Sequence, residues 1–143
     1  MKNTKIYQIE NKKLITIPLV TDKVAAGFPS PAQGYEEDRI DISDILITNP
    51  TATFYVRVKG NSMLDANINE GDILVVDRSM EAVHGSVIIA VIDGEFTVKT
   101  LYHKDGIVKL VPANSEYPEI ILKDTQELNV WGVVSYAIKK FTR

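Results

Sequence analysis

The run Val87-Ile88-Ile89-Ala90-Val91-Ile92, the pair Asp93-Gly94 and the run Glu95-Phe96-Thr97-Val98-Lys99-Thr100-Leu101-Tyr102 constrain this chain more than any other stretch. Two β-rich runs joined by Asp-Gly predict a hairpin with a two-residue turn, because such a turn needs positive φ at its centre and Asp-Gly adopts it at low cost. A turn of that length also sets the register. Ile92 faces Glu95, and four residues further back Ile88 faces Lys99. The first run is apolar at every position, which predicts burial on both faces rather than one. Lys99 is therefore expected beside apolar neighbours, whereas most lysines are solvated.

The rest of the chain carries the same kind of signal in shorter pieces. Thr53 to Lys59 alternates as a half-buried strand does, and Gly60 ends it. Ile73–Asp77, Ile107–Val111, Glu119–Leu122 and Leu128–Tyr136 read as further strands between turns rich in Asp, Gly, Pro and Asn. Leu14–Val20 is strand-like but contains Pro18, which restricts it to an edge. Asp41 or Ser43 is placed to cap a short helix that ends before Asn49-Pro50, and a helical turn is expected over Ser62–Asp65. The expected fold is mainly β: a compact barrel-like or sandwich domain of short strands over residues 35–143, with one or two short helices. Residues 1–34 are expected to form an extended N-terminal arm and linker, since Val24 to Gly34 is rich in small residues and proline.

Charge is unevenly spread. The net charge is −3, yet residues 1–26 carry five lysines against Glu10 and Asp22, leaving −6 on the remainder. An acidic body does not favour strong nucleic-acid binding, which depends on neutralising phosphates. The basic arm could attract DNA weakly, although docking on its own acidic body is the simpler reading. With no cysteine there are no disulfides or thiolate metal sites. Val87–Ile92 is far short of the roughly 20 apolar residues that span a bilayer, so no membrane association is expected and the setting reads as cytoplasmic. His84 and His103 lie outside metal-ligand spacing and read as turn or surface residues. Phosphate-loop, dinucleotide and zinc-protease motifs do not occur, and neither a cofactor nor a metal is expected.

What remains is a serine after a bend and a lysine in an apolar strand. Ser62 follows Gly60-Asn61, and a serine hydroxyl becomes a nucleophile only when a neighbour removes its proton. A lysine does that as the neutral amine, a form that burial favours. Backbone N–H groups of the turn after Ser62 are expected to face a developing oxyanion. On spacing alone the alternative stands beside this reading: Ser62-x-x-Asp65 is also a helix-capping pattern, and strand lysines commonly snorkel.

Taken as a set, Gly27-Phe28-Pro29-Ser30-Pro31-Ala32, Gly60-Asn61-Ser62-Met63, Glu70-Gly71-Asp72 and Asp93-Gly94-Glu95-Phe96-Thr97-Val98-Lys99 resemble the LexA-like self-cleaving serine peptidases, in particular their SOS-mutagenesis branch of UmuD type. The resemblance runs from about residue 14 to the C-terminus. It implies that Ser62 is the nucleophile, that Lys99 is the general base, and that the bond cut is Ala26-Gly27 in the same chain. It further implies stimulation by a RecA filament on single-stranded DNA. The shortened homodimer would then act as accessory subunit of a UmuC-like translesion DNA polymerase. Two alternatives stand beside it: a fragment of a LexA-like self-cleaving repressor, and a non-catalytic polymerase-binding module. The repressor alternative is the poorer match, because 26 residues before the cleavage site are few for a helix-turn-helix domain.

Overall fold

The computed structural model describes residues 6–8 (backbone only), 14–20, 24, 26–27, 37–123 and 127–143. The chain forms two packing units, one of Met1–Ile9 with Asn49–Arg143 and one of Glu10–Thr48. Most of the expected linker, including Phe28 and the prolines at 29 and 31, lies outside the described residues.

The larger unit is built on one antiparallel sheet. Its strands are β1 (Ile6–Gln8), β4 (Thr53–Arg57), β5 (Ile73–Asp77), β6 (Val87–Ile92), β7 (Glu95–Lys104), β8 (Ile107–Val111), β9 (Ile120–Ile121) and β10 (Asn129–Ile138), in the spatial order β1-β4-β5-β10-β6-β7-β8-β9. In the smaller unit β2 (Ile17–Val20) pairs with β3 (Glu37–Ile40), and α1 spans Ser43–Leu46. The chain is thus mainly β with a few short helical turns, as expected.

The hairpin is the one read from the sequence. Ile92 pairs with Glu95 and Ile88 with Lys99. Asp93 and Gly94 both take positive φ, 50° and 78°, as the tight turn requires. Gly94→Val is expected to destabilise the domain by about 1–2 kcal/mol, because a β-branched side chain resists the left-handed region. A urea unfolding midpoint measures this, and an unchanged midpoint would show that the turn tolerates a Cβ there.

β6 lies between β10 and β7, and its alternation divides the core in two. Ile89 joins Val56, Leu74, Val76 and Val98 in one apolar cluster. Ile88 and Ala90 join Leu101, Leu110 and Val133 in the other. Successive strand residues point to opposite faces, so both faces are covered. Each fully buried Ile, Leu or Val contributes about 1.5–3 kcal/mol relative to an exposed one, which is why so short a strand organises the sheet.

Three features depart from the sequence reading or lie beyond it. Ile6–Gln8, in a stretch for which no strand is read from the sequence, pairs with β4 at the sheet edge. Glu37–Ile40, for which no strand is read from the sequence, is strand β3, because Pro18-containing β2 offers it an edge to pair with. The helix after it is short and is capped neither by Asp41 nor by Ser43, for Ile42 occupies the N-cap. Asp41 instead accepts the N–H (3.0 Å) and hydroxyl (2.6 Å) of Ser43. Those bonds hold its carboxyl below the usual carboxylate range.

β10 shifts register twice, between Val130 and Gly132 and between Val134 and Tyr136. At the first shift Trp131 packs edge-on against Phe54 and Phe96, with ring centroids 5.1 and 5.7 Å away. Arg78 stacks on it at 4.5 Å and donates through Nε to its carbonyl. Bulges of this kind let one strand serve two neighbours that are not collinear.

Candidate active site

β4 ends at Arg57, and the chain is held for one more residue by a pair of backbone bonds. Val58 N–H donates to Asp72 C=O and Gly71 N–H to Val58 C=O, both at 2.8 Å. Asp72 is itself buried, accepts the Asn69 N–H at 2.8 Å and forms an ion pair with Lys139. The Glu70-Gly71-Asp72 turn is therefore a fixed abutment for the end of the strand. Gly60 then takes φ +89°, a conformation that favours glycine, and the chain bends toward Ser62. Met63 anchors the bend from the other side. It is 2 % exposed and packs with Val56, Val58 and Ile68 in the first apolar cluster.

The bend brings Ser62 to Lys99. Lys99 Nζ lies 3.0 Å from Ser62 Oγ, 2.7 Å from Thr97 Oγ1 and 3.0 Å from the Val98 carbonyl oxygen. Lys99 as a whole is 7 % exposed, and its three partners are uncharged. Burial pushes its amine below the ordinary lysine value of 10.5. The physical cause is desolvation, which disfavours the ammonium when no carboxylate compensates it. Thr97 stands two residues before Lys99 on the same face of β7, so the alternation rule would have found it.

Ser62 does not cap the turn that follows. The 3-10 turn Leu64–Ala66 has Met63 at its N-cap and no side-chain cap bond, so the Ser62-x-x-Asp65 capping pattern is not realised. The Ser62 hydroxyl is directed to the lysine instead.

The expected source of oxyanion donors also needs correction. Leu64, Asp65, Ala66 and Asn67 N–H groups donate to the carbonyls of Asn61, Ala113, Met63 and Leu64. Donors already bonded in the fold are not free for a substrate. Among the described residues the Ser62 and Met63 N–H groups have no acceptor, and they flank the hydroxyl.

Two contacts from the loop between β8 and β9 hold the bend from outside. Asn114 Nδ2 donates to Asn61 C=O at 2.8 Å, and Ala113 C=O accepts the Asp65 N–H at 2.7 Å. Sequence reading treated this loop only as a turn, since nothing local marks a contact across 53 residues.

Ala26 and Gly27 form an exposed bend in the Glu10–Thr48 unit, whereas Ser62 and Lys99 belong to the other. His84 accepts the His103 N–H through Nδ1 at 3.1 Å and packs edge-on against Tyr102. The two histidines thus serve a local turn contact. No group of metal-ligating side chains occurs among the described residues, and no helix among them is long and apolar enough to cross a membrane.

The Peptidase S24-like family matches residues 18–135, a span that includes Ser62, Lys99, Ala26 and Gly27. The chain is 42% identical over 124 residues to Protein MucA of Salmonella typhimurium, covering 86% of this chain and 84% of that protein. It is 43% identical over 125 residues to Protein SamA of Salmonella typhimurium strain LT2, covering 87% and 86%. To the LexA repressor of Acetivibrio thermocellus it is 36% identical over 143 residues, covering 97% of this chain and 65% of the repressor. The chain belongs to the Peptidase S24-like family, as a UmuD-type member of the LexA-like self-cleaving serine peptidases.

Proposed function

We propose that Ser62 and Lys99 form a catalytic dyad that cuts the Ala26-Gly27 bond of the chain itself. In this reading residues 1–34 are the cleavable arm and linker, and residues 35–143 the peptidase domain. The observation that carries it is the 3.0 Å contact between Ser62 Oγ and the buried Lys99 amine. The partners of Nζ support the assignment of protons. A neutral amine has two N–H donors and one lone pair. The Val98 carbonyl is an acceptor only and takes one N–H, Thr97 Oγ1 takes the other, and the lone pair is left for the Ser62 hydroxyl.

The reaction follows from that arrangement. Lys99 takes the Ser62 proton while Oγ bonds to the Ala26 carbonyl carbon. The oxyanion so formed is stabilised by the Ser62 and Met63 N–H groups. Collapse breaks the Ala26–Gly27 C–N bond, and the Lys99 ammonium returns its proton to the Gly27 nitrogen. Water, deprotonated by Lys99, then hydrolyses the Ala26 ester, freeing Ser62 and a carboxylate on residue 26. A glycine after the cut bond lets backbone approach the nucleophile closely.

Family membership supports the wider role: stimulation by a RecA filament on single-stranded DNA, and service of the shortened homodimer to a UmuC-like translesion polymerase in the cytoplasm. Cleavage removes the +3 arm and takes the net charge from −3 to −6, which changes what the body presents to a partner.

Incubation at alkaline pH followed by intact-mass measurement is expected to show loss of residues 1–26. A RecA filament is expected to bring the same product at neutral pH. An unchanged mass under both conditions, or a cut at another bond, rejects the assignment.

A further inference from the structure

We infer that Asn114 is a positioning residue for the self-cleavage reaction, acting by setting the plane of the Asn61–Ser62 peptide. The inference rests on the reading of Ser62 as nucleophile and extends it to a residue far away in sequence.

The carbonyl of Asn61 and the N–H of Ser62 belong to one peptide unit. In a trans peptide these two groups point in opposite directions and turn together. The Asn61 carbonyl accepts a long bond from the Leu64 N–H at 3.3 Å and a shorter one from Asn114 Nδ2 at 2.8 Å, and the shorter bond does most to fix this end of the unit and so to aim the other. The other end is the Ser62 N–H, which has no acceptor among the described residues and lies next to the nucleophilic oxygen. A hydrogen bond to a peptide carbonyl also polarises the attached N–H, making it a better donor.

Asn114 is itself held. Its Oδ1 accepts the Glu116 N–H at 3.0 Å, so the orientation of the amide is set and Nδ2 must face Asn61. Its own carbonyl accepts the Tyr117 N–H at 3.1 Å, and the loop is flanked by Pro112 and Pro118. One residue earlier, Ala113 C=O accepts the Asp65 N–H, so the bend is gripped on both sides of Ser62. That second grip keeps the bend in place when the Asn114 bond is removed. Loss of Asn114 should therefore misdirect the Ser62 N–H without displacing the hydroxyl from Lys99.

Asn114→Asp tests this with the least disturbance. It keeps the acceptor for Glu116 and removes the donor to Asn61. The plateau rate of self-cleavage at high pH is expected to fall by about 10-fold or more, since a misaimed oxyanion donor loses part of the 10²–10³ that such a donor supplies. Asn114→Ala should lose rate alike, and because it adds no charge near Lys99 and leaves its three partners in place, its pH midpoint of cleavage is expected to stay where it is.

The second readout is the Ser62 amide nitrogen resonance, recorded on the full chain carrying Lys99→Met so that it stays uncut. It is expected to move on Asn114→Asp, with other changes confined to residues 60–65 and 112–117. A general loosening of the fold would instead spread shifts across the sheet and lower the melting temperature. A plateau rate within about twofold of the parent, or a slower rate with an unmoved Ser62 resonance, overturns the inference. Cleavage that survives Ser62→Ala removes the underlying reading instead, so the two failures are distinguishable.

Discussion

Ser62→Ala is expected to abolish self-cleavage, and Lys99→Ala to do the same, each by about 10³-fold or more. The two losses should not add, because nucleophile and base act on one proton. Lys99→Arg is the sharper test. It keeps a cation of similar reach, but a guanidinium stays protonated and has no lone pair to offer the Ser62 hydroxyl. It should therefore be as inactive as Lys99→Ala. If arginine supported cleavage at the parental rate, a positive charge near Ser62 would be the requirement, and the base would have to be sought elsewhere. In the parent chain the rate should rise with pH as the Lys99 amine loses its proton. Burial disfavours the ammonium, so the midpoint should fall below the ordinary 10.5 and the rate should level off above it. Time courses by gel densitometry across pH 6 to 11 would measure both midpoint and plateau.

Lys99→Met should abolish cleavage and raise stability together. The methionine side chain occupies similar volume among Ile88 and the apolar strand residues, and it removes a charge that no carboxylate among the described residues compensates. Replacing a buried ionic group by a well-packed apolar one is neutral or stabilising by up to about 1–4 kcal/mol. A gain at the lower end corresponds to roughly 4 °C in melting temperature for a chain of this size. The gain must also depend on pH in a definite direction. The Lys99 amine binds its proton more weakly in the folded than in the unfolded chain. At pH below the lowered folded value both states are charged, and the parent carries the full penalty. Between that value and 10.5 the unfolded chain holds more protons, so parental stability rises with pH. Above 10.5 both states are neutral and the penalty is gone. The advantage of Lys99→Met should therefore be largest near neutrality and shrink toward the loss of the Thr97 and Val98 hydrogen bonds at high pH. An advantage that grows with pH would show that the amine is not desolvated in the folded chain. Such a trade between a poised group and fold stability is common at active sites.

The local signals in the sequence were sufficient for the parts of the fold built from near neighbours. Asp93-Gly94 determined the hairpin and its register, because a two-residue turn leaves no freedom in pairing. The doubly apolar run Val87–Ile92 determined that this strand is central, and with it that Lys99 is buried. Strands β5, β6 and β8 have the bounds their turn residues imply. The pairing of Ile6–Gln8 at the sheet edge was not legible, since an edge strand needs only a partner and carries little pattern of its own.

The site divides along the same line. The sequence by itself determined which side chains have the right chemistry: a hydroxyl at a glycine-bent turn and an amine in an apolar strand. The resemblance implied that they act together and on which bond, and that remains the proposal. Only the tertiary structure decided that 3.0 Å separates them, that Ser62 contacts Lys99 rather than capping its turn, and that the Ser62 and Met63 N–H groups have no acceptor among the described residues. It also brought Asn114 onto Asn61. The physical reason is range. Turn dihedrals, strand alternation and burial are set within a few residues and leave a trace there. A hydrogen bond across 53 residues depends on how the loop after β8 is carried onto the bend after β4, and no short stretch of the chain carries that information.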